Sequence, residues 1–252
     1  MINMNKSQIK ITSFDNLFIS ANVYKQNDYS KKWAIIVHGI KRNGDYMESY
    51  VYNFYKRGFN VVAPDCRGHG KSEGKYIGMG WHDRLDVIKF IEKIIEMDKE
   101  SQIVLFGVSM GGATVLCTSG ENLPKNVKCI ISDCSYTDAY KIAKINIKSV
   151  NSLFAPFAPI LNLAIRVRGG YFLSDAKPIN QVKKSKTPTL FIHSDGDKLI
   201  PVKMAYELYD ACASEKDILI IKGADHALSS VIDSKNYWTK VHEFINKYIL
   251  VL

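Results

Sequence analysis

The sequence predicts an α/β fold in which helices cover both faces of a mostly parallel sheet. Short apolar runs alternate with amphipathic segments of helix length, and several of the runs are apolar without alternation, as strands buried on both faces are. The chain has 252 residues, which is enough for one large core. Its 46% hydrophobic and 23% charged residues are typical of a globular domain. We therefore expect a single domain over residues 1–252.

The strands are predicted first, from the apolar runs. The opening of the chain resembles two antiparallel strands, and the six runs that follow are short, several of them rich in Val and Ile. In chain order the predicted strands are Ile9–Thr12, Leu17–Tyr24, Trp33–Val37, Asn60–Ala63, Gln102–Phe106, Val127–Ser132, Thr189–His193 and Asp217–Ile221.

Helices are expected where apolar residues recur at intervals of three and four. The expected helices are Trp81–Met97, Met110–Ser119 and about Trp238–Leu250. In the first of them one apolar stripe predicts the buried face; it consists of Leu85, Ile88, Ile91 and Ile95.

An uncharged apolar segment, Ser149–Ile165, interrupts this alternation. Its length and its two prolines do not suit a membrane span, which needs about 20 apolar residues. It falls between the strands near 132 and 189, so we expect a small helical lid at about 136–186. Phe154, Phe157 and Tyr171 would then line an acyl pocket. Plain packing against the core and contact with a lipid surface stay open as other roles for this segment.

The composition indicates which binding partners and which cellular compartment to expect. The five cysteines are an odd number without a C-x-x-C pair, so free thiols are expected. Met1–Lys10 is polar and lacks the apolar core of a signal peptide, so a cytoplasmic location is expected. The net charge is +9, but the basic residues are scattered and no RNA-binding motif is present, so no nucleic-acid partner is expected. No zinc-type ligand spacing and no Gly-rich phosphate loop occurs, so neither a metal nor a cofactor is expected.

The best candidate nucleophile is Ser109, within Gly107-Val108-Ser109-Met110-Gly111. The pattern G-x-S-x-G by itself is weak, because a chain of this length can match it by chance. Here, however, a predicted strand precedes it and a predicted helix follows it. A strained turn from strand to helix requires small neighbours, because the flanking chains approach closely. This context favours a nucleophile elbow over an ordinary turn.

A serine hydroxyl needs a base that removes its proton, and the base needs an acid that orients it. His226 follows the last predicted strand and precedes the last predicted helix, so it is the candidate base. Three carboxylates follow strands and are candidates for the acid: Asp133, Asp195 and Asp197. Asp195-Gly196 has the chemistry of a tight turn.

Backbone N–H groups are the candidate donors for the oxyanion of the transition state. The first is the N–H of Met110, directly after the nucleophile. The second is the N–H of Ile40, in the loop that follows the strand at Trp33–Val37, where Gly39 permits a sharp turn.

Taken together, these motifs resemble the α/β-hydrolase superfamily over nearly the whole chain. They are His38-Gly39, the run DCRGHGKS at 65–72, the serine elbow, the Asp197 loop and Gly-x-x-His226. The resemblance is nearest to small bacterial members similar to monoglyceride lipases, carboxylesterases and serine aminopeptidases. It implies that Asp197, three residues before Ile200-Pro201, is the acid, and that His69 supports the wall of the site. Asp225 departs from the family, whose members often have a small residue before the histidine.

The resemblance implies a serine hydrolase (EC 3.1.1) that cleaves carboxylic esters or thioesters through an acyl-enzyme. Its substrate would be a small molecule with a hydrophobic acyl group of small to medium size. Amide hydrolysis of the aminopeptidase type is the alternative reaction. A non-catalytic protein of hydrolase fold that binds a hydrophobic ligand is the alternative from another class. Contact with a membrane surface is possible but not favoured, and the sequence does not indicate an oligomeric state.

Overall fold

A computed structural model describes residues 4–150 and 158–249. Its strands form one eight-stranded sheet in the order β1-β2-β4-β3-β5-β6-β7-β8. The first two strand pairs, β1 with β2 and β2 with β4, are antiparallel, and the remaining pairs are parallel. The strands are β1 Asn5–Thr12, β2 Phe18–Lys25, β3 Lys32–Val37, β4 Asn60–Pro64, β5 Gln102–Val108, β6 Val127–Asp133, β7 Thr189–Ser194 and β8 Lys216–Ile221. This topology confirms the predicted α/β-hydrolase fold class.

Helices follow most of the parallel strands. In chain order they are α1 Glu48–Tyr55, α2 Asp83–Met97, α3 Met110–Ser119, α4 Ala139–Val150, α5 Ala158–Gly169, α6 Pro178–Val182, α7 Lys203–Ala211, α8 Ser229–Ile232 and α9 Ser234–Asn246. The last of the predicted helices therefore begins four residues earlier than the sequence indicated, at Ser234 and not at Trp238. Asp233 caps it by accepting a hydrogen bond from the Asn236 N–H.

The central strands are buried on both faces, which explains why their sequences are apolar without alternation. In β3, Trp33, Ile35 and Val37 pack in the cluster that contains residues of α2 and α3. Ala34 and Ile36 pack in a second cluster with residues of α1 and α9. The helices therefore cover both faces of the sheet, as predicted.

The predicted buried stripe of α2 is wrong by about one residue. Of its four members only Ile91 is fully buried, and the others are half-buried. The buried face of the helix consists of Asp83, Asp86, Val87, Phe90, Ile91 and Ile94. Apolar periodicity misplaced this face because it includes two carboxylates. One of them, Asp86, accepts two hydrogen bonds of 2.9 Å from the fully buried guanidinium of Arg67.

In the described part of the region between β6 and β7, where a lid is expected, the structure has three helices and a short turn. The helix α6 packs against α3, whereas α4, α5 and the turn at Leu173–Asp175 contact one another. Two residues expected in the lid pocket, Phe154 and Phe157, lie outside the described residues. Among the helices that are described, none is long and apolar enough to cross a membrane.

Candidate active site

Ser109 lies at the turn between β5 and α3 in a strained backbone conformation, with φ of 57° and ψ of −118°. Few residues other than glycine adopt a positive φ, so the surrounding structure has to hold this one in place. The Ser109 N–H donates to the Asp133 carbonyl oxygen at 2.8 Å, and the Ala113 N–H donates to the Ser109 carbonyl oxygen at 2.9 Å. Ser109 therefore has the strained strand-to-helix turn that the sequence analysis predicted.

The glycines of the elbow are required by close backbone contacts. A Cβ on Gly107 would lie 2.1 Å from the Gly111 carbonyl oxygen, and a Cβ on Gly111 would lie 2.0 Å from the carbonyl oxygen of Val37. Backbone atoms cannot move aside as the end of a flexible side chain can. The small residues that the sequence indicated around Ser109 are therefore explained by packing between β5, α3 and β3.

His226 is in contact with both Ser109 and Asp197. Its Nε2 lies 2.9 Å from Ser109 Oγ, and its Nδ1 lies 2.7 Å from Asp197 Oδ2. An ionised carboxylate only accepts hydrogen bonds, so Nδ1 carries the proton and donates it. Nε2 is then an acceptor for the Ser109 hydroxyl. Ser109 and Asp197 are buried, whereas His226 is half-buried.

The Asp197 carboxylate is held on both oxygens. Its Oδ1 accepts hydrogen bonds of 2.9 Å from the backbone N–H groups of Leu199 and Ile200. Burial by itself would raise the pKa of Asp197, but hydrogen bonds from His193, His226 and the Ile200 N–H outweigh it and hold the pKa well below its usual value. Asp197 is therefore ionised at neutral pH and can stabilise a positive charge on His226.

His193 is a neighbour of the site that the sequence analysis did not identify. It is buried near the end of β7, and its Nε2 lies 2.9 Å from the Ile200 carbonyl oxygen and 3.4 Å from Asp197 Oδ2. Because a carbonyl only accepts, the proton of His193 is on Nε2. A polar residue at the end of a buried strand, four residues before the acid, was the available signal.

The other two candidate acids have different partners. Asp133 is fully buried, and its Oδ2 accepts a 2.9 Å hydrogen bond from the Tyr237 hydroxyl. Burial raises the pKa of Asp133 to about 6. Asp195 is exposed and accepts a 2.6 Å hydrogen bond from the N–H of Gly223, in the loop after β8 and not in its own turn. Of the three carboxylates, Asp197 is the one that hydrogen-bonds His226.

The two candidate oxyanion donors are the backbone N–H groups of Met110 and Ile40. The N–H of Met110 begins α3, so it has no partner four residues earlier within the helix. Ile40 follows Gly39, where an added Cβ would lie 3.8 Å from Ser109 Oγ. The next residue, Lys41, donates its N–H to His69 Nε2 at 3.1 Å. His69 is buried, and it therefore fixes the loop that contains Ile40.

A cleft of about 570 Å³ opens over Ser109 and His226. Its wall is largely apolar. The wall consists mainly of the loop that follows β3, the helix α1 and the segment that follows β8. The other lining residues are Gly39, Ile40, Arg42, Tyr46, Met47, Ser49, Tyr50, Val108, Leu199, Asp225, Ala227, Leu228, Ser230 and Val231.

Tyr171, which was expected in the acyl pocket, is not among these described lining residues. It is buried in a separate cluster with Tyr136 and Leu173, and its hydroxyl donates to the Ile77 carbonyl oxygen at 2.8 Å. Its ring centroid lies 4.8 Å from that of His82.

One group in the described part of the chain has a geometry suited to a metal ion. The ligand atoms of Cys134, Asp197 and His226 all lie within 4.8 Å of one another. Burial raises the pKa of the Cys134 thiol well above its ordinary value, so the thiol is protonated at neutral pH and is a poor ligand. The other two residues already share a short hydrogen bond. Their side chains fit proton transfer better than metal binding.

Comparisons with known proteins identify the family and the fold. Residues 29–183, more than half of the chain, match the family model described as "Serine aminopeptidase, S33". The fold and this match define an enzyme of the α/β-hydrolase class. Within that class, the chain belongs to the serine aminopeptidase S33 family.

Individual relatives are more distant. YqkD of Bacillus subtilis is 28% identical over 214 residues, which cover 84% of this chain and 70% of that protein. YfhR of Escherichia coli (strain K12) is 29% identical over 174 residues, which cover 68% of this chain and 54% of that protein. The chain thus spans about half the length of YfhR. The structure of the Pyrococcus furiosus esterase Pf2001 has a TM-score of 0.79 at 23% identity, covering 98% of this chain and 92% of the other. That likeness shows the fold.

Proposed function

We propose that the chain is a serine esterase that cleaves carboxylic esters or thioesters of small to medium acyl groups. The observation that carries the proposal is the continuous hydrogen-bonded chain from Ser109 Oγ through His226 to Asp197, with distances of 2.9 Å and 2.7 Å. Separations of this length suit proton transfer between nucleophile and base. Ser109 is the proposed nucleophile, His226 the base and Asp197 the orienting acid.

In the proposed acylation step, Ser109 Oγ attacks the carbonyl carbon of the ester while its proton passes to His226 Nε2. The imidazolium that forms is stabilised by the ionised Asp197. Collapse of the tetrahedral intermediate breaks the bond to the leaving oxygen or sulfur. His226 Nε2 returns the proton to the leaving group, which departs as an alcohol or thiol. In deacylation, water takes the place of Ser109 as nucleophile, and the acid and free Ser109 are released.

The N–H groups of Ile40 and Met110 are the proposed donors to the oxyanion. Met110 directly follows Ser109, and Gly39, which precedes Ile40, packs against Ser109. The backbone and His69 fix these loops, so the donors need little rearrangement during the reaction. One such donor contributes roughly 10²–10³ in kcat. This arrangement stabilises the negative charge on the former carbonyl oxygen.

The apolar wall of the cleft supports a hydrophobic acyl or leaving group. Its volume of about 570 Å³ is within the range of pockets that bind small molecules. We also propose that the segment at about 136–186 acts as a lid and that Phe154 and Phe157 contribute to the acyl pocket. Within this segment, the two prolines and the lack of charge between Ser149 and Ile165 support a short helical cover.

Amide hydrolysis is the second candidate, and the family's description as a serine aminopeptidase favours it. The same three residues can perform both reactions, since only the leaving group differs. A pair of substrates with a common acyl group, one a p-nitrophenyl ester and the other a p-nitroanilide, separates the two. For each substrate, kcat/KM is divided by the rate of the uncatalysed reaction. We expect this ratio to be much higher for the ester than for the anilide.

The experiment that tests the proposal is a panel of p-nitrophenyl esters of graded chain length, with Ser109→Ala and His226→Ala beside the wild type. Each variant should fall to near background turnover while its circular dichroism stays native. Ser174→Ala is a matched control, because Ser174 does not line the cleft. Full turnover by Ser109→Ala would overturn the proposal. A wild type without turnover and without labelling by a fluorophosphonate would favour a non-catalytic binding protein.

A further inference from the structure

The helix α5, Ala158–Gly169, presents an apolar stripe to solvent. Ile160, Leu163 and Val167 are spaced by three and four residues, so they lie on one face of the helix. Their exposed fractions are 62%, 57% and 78%. The opposite face contains Gly169, which is buried, and Ile165, which is half-buried against the cluster around Tyr136. The helix therefore packs by the face that contains Gly169 and Ile165, and it leaves Ile160, Leu163 and Val167 in water.

Arginines flank this stripe on both sides. At roughly 100° per residue, Arg166 and Arg168 project about 100° to either side of the stripe's centre. Both side chains are exposed, and neither forms an ion pair with a carboxylate in the part of the chain that the structure describes. An apolar centre with cationic edges is the pattern of a helix that lies in the plane of a membrane interface.

The charge of the surrounding sequence has one sign. Between Asp138 and Asp175 the chain has no acidic residue and five basic ones. They are Lys141, Lys144, Lys148, Arg166 and Arg168. The neighbouring helix α4, which contains three of these lysines, packs against α5. An apolar partner protein would cover the stripe without needing this charge, whereas an anionic lipid surface complements both features.

We infer that α5 binds the surface of an anionic lipid bilayer, with Ile160, Leu163 and Val167 among the acyl chains and Arg166 and Arg168 at the level of the phosphates. Such a helix lies about 5–10 Å into the boundary between headgroups and acyl chains. Binding would bring the region between β6 and β7 to the bilayer, which can supply hydrophobic substrates. The inference concerns the helix itself and does not depend on the proposed esterase reaction.

Vesicle flotation tests this inference with the full chain. The probes are vesicles of phosphatidylglycerol mixed with phosphatidylcholine, and vesicles of phosphatidylcholine alone. We expect the chain to float with the mixed vesicles at low salt and much less with phosphatidylcholine alone or at high salt, because exposed charges are screened. Ser109→Ala should float as the wild type does. Flotation therefore succeeds or fails separately from the esterase proposal.

Variants assign the binding to α5. Val167→Asp and Leu163→Asp should each lower the partition coefficient between water and vesicles about tenfold or more. Each variant removes an aliphatic side chain that would be buried among the acyl chains of the bilayer. Ile232→Asp is the matched control, because Ile232 is 59% exposed but belongs to α8. Arg168→Gln should lower partition about fivefold, and Arg57→Gln, the exposed control arginine, should not.

Three results would overturn the inference. The first is no flotation with anionic vesicles. The second is flotation that Val167→Asp and Ile232→Asp reduce equally. The third is a stable dimer, detected by analytical ultracentrifugation, that Val167→Asp dissociates while vesicles fail to bind. That last result would show that a second copy of the chain covers α5. All variants should first be checked for unchanged thermal unfolding, which is expected because the replaced side chains are exposed.

Discussion

Replacing Asp197 with asparagine should inactivate the enzyme without changing its shape. The Oδ1 atom of Asp197 accepts hydrogen bonds from the N–H groups of Leu199 and Ile200, each at 2.9 Å. In Asp197→Asn these two donors retain the carbonyl oxygen of the amide, so the NH₂ group takes the place of Oδ2 and faces His226 Nδ1. That nitrogen can then only accept. The proton moves to Nε2, which can no longer take the proton of Ser109.

The expected loss is up to about 10⁴ in kcat, with KM little changed, as for a histidine in the wrong tautomer. The assay is p-nitrophenyl ester hydrolysis by Asp197→Asn, with Asp133→Asn and Asp195→Asn as controls. Those two controls should keep most of their turnover, because their carboxylates bond Tyr237 and Gly223 and not His226. A crippled Asp133→Asn beside a nearly normal Asp197→Asn would refute this reasoning.

The same carboxylate links stability to pH. The folded state holds the pKa of Asp197 below its unfolded value, so ionised Asp197 stabilises the fold above the unfolded pKa, and this contribution is lost as the pH falls toward the folded pKa. Urea unfolding of wild type and Asp197→Asn should therefore differ most near neutral pH and converge in acid. A difference that grows as the pH falls would show that the carboxylate is not held as the structure indicates.

Three further predictions concern other parts of the fold. Burial raises the pKa of Asp133 to about 6, so its ionisation costs the folded state about 3 kcal/mol; in urea unfolding, Asp133→Asn should gain stability relative to wild type as the pH rises from about 4 to 6 and keep that gain at higher pH, and a relative loss would contradict this. Gly111→Ala should cost about 3 kcal/mol or prevent folding, because its Cβ would lie 2.0 Å from a backbone oxygen, and an unchanged melting temperature would be evidence against this contact. Phe154→Ala with Phe157→Ala should change the preferred ester chain length more than the melting temperature; the reverse result would favour plain core packing.

Much of the fold was predictable because its strands are buried on both faces and therefore appear as apolar runs. All eight predicted strands overlap the observed ones, with differences mainly at the ends. The elbow was predictable because its glycines are fixed by steric contacts that any such turn has to satisfy. Ser109, Asp197 and His226 each follow the end of one of the parallel strands β5, β7 and β8, so their meeting at one edge of the sheet was also predictable.

Features that depend on buried polar groups were not predictable from apolar periodicity. The buried face of α2 was misplaced because Asp83 and Asp86 lie on it, and Asp86 is compensated by Arg67, which is distant in sequence. His193 was missed because its contact with Asp197 depends on the turn after β7. Among the three candidate acids, the family resemblance favoured Asp197, whereas apolar periodicity could not separate them; the structure shows that Asp197 hydrogen-bonds His226.

The most direct test of the central claim is the site of covalent labelling by a fluorophosphonate. An activated serine reacts with this probe, whereas an ordinary serine does not. Intact-mass spectrometry should show one phosphonyl group per chain, and peptide mapping should locate it on Ser109. Ser109→Ala should remain unlabelled, and His226→Ala should label far more slowly. An unlabelled wild type, or a label on any other residue, would contradict the account of Ser109 as a nucleophile activated by His226.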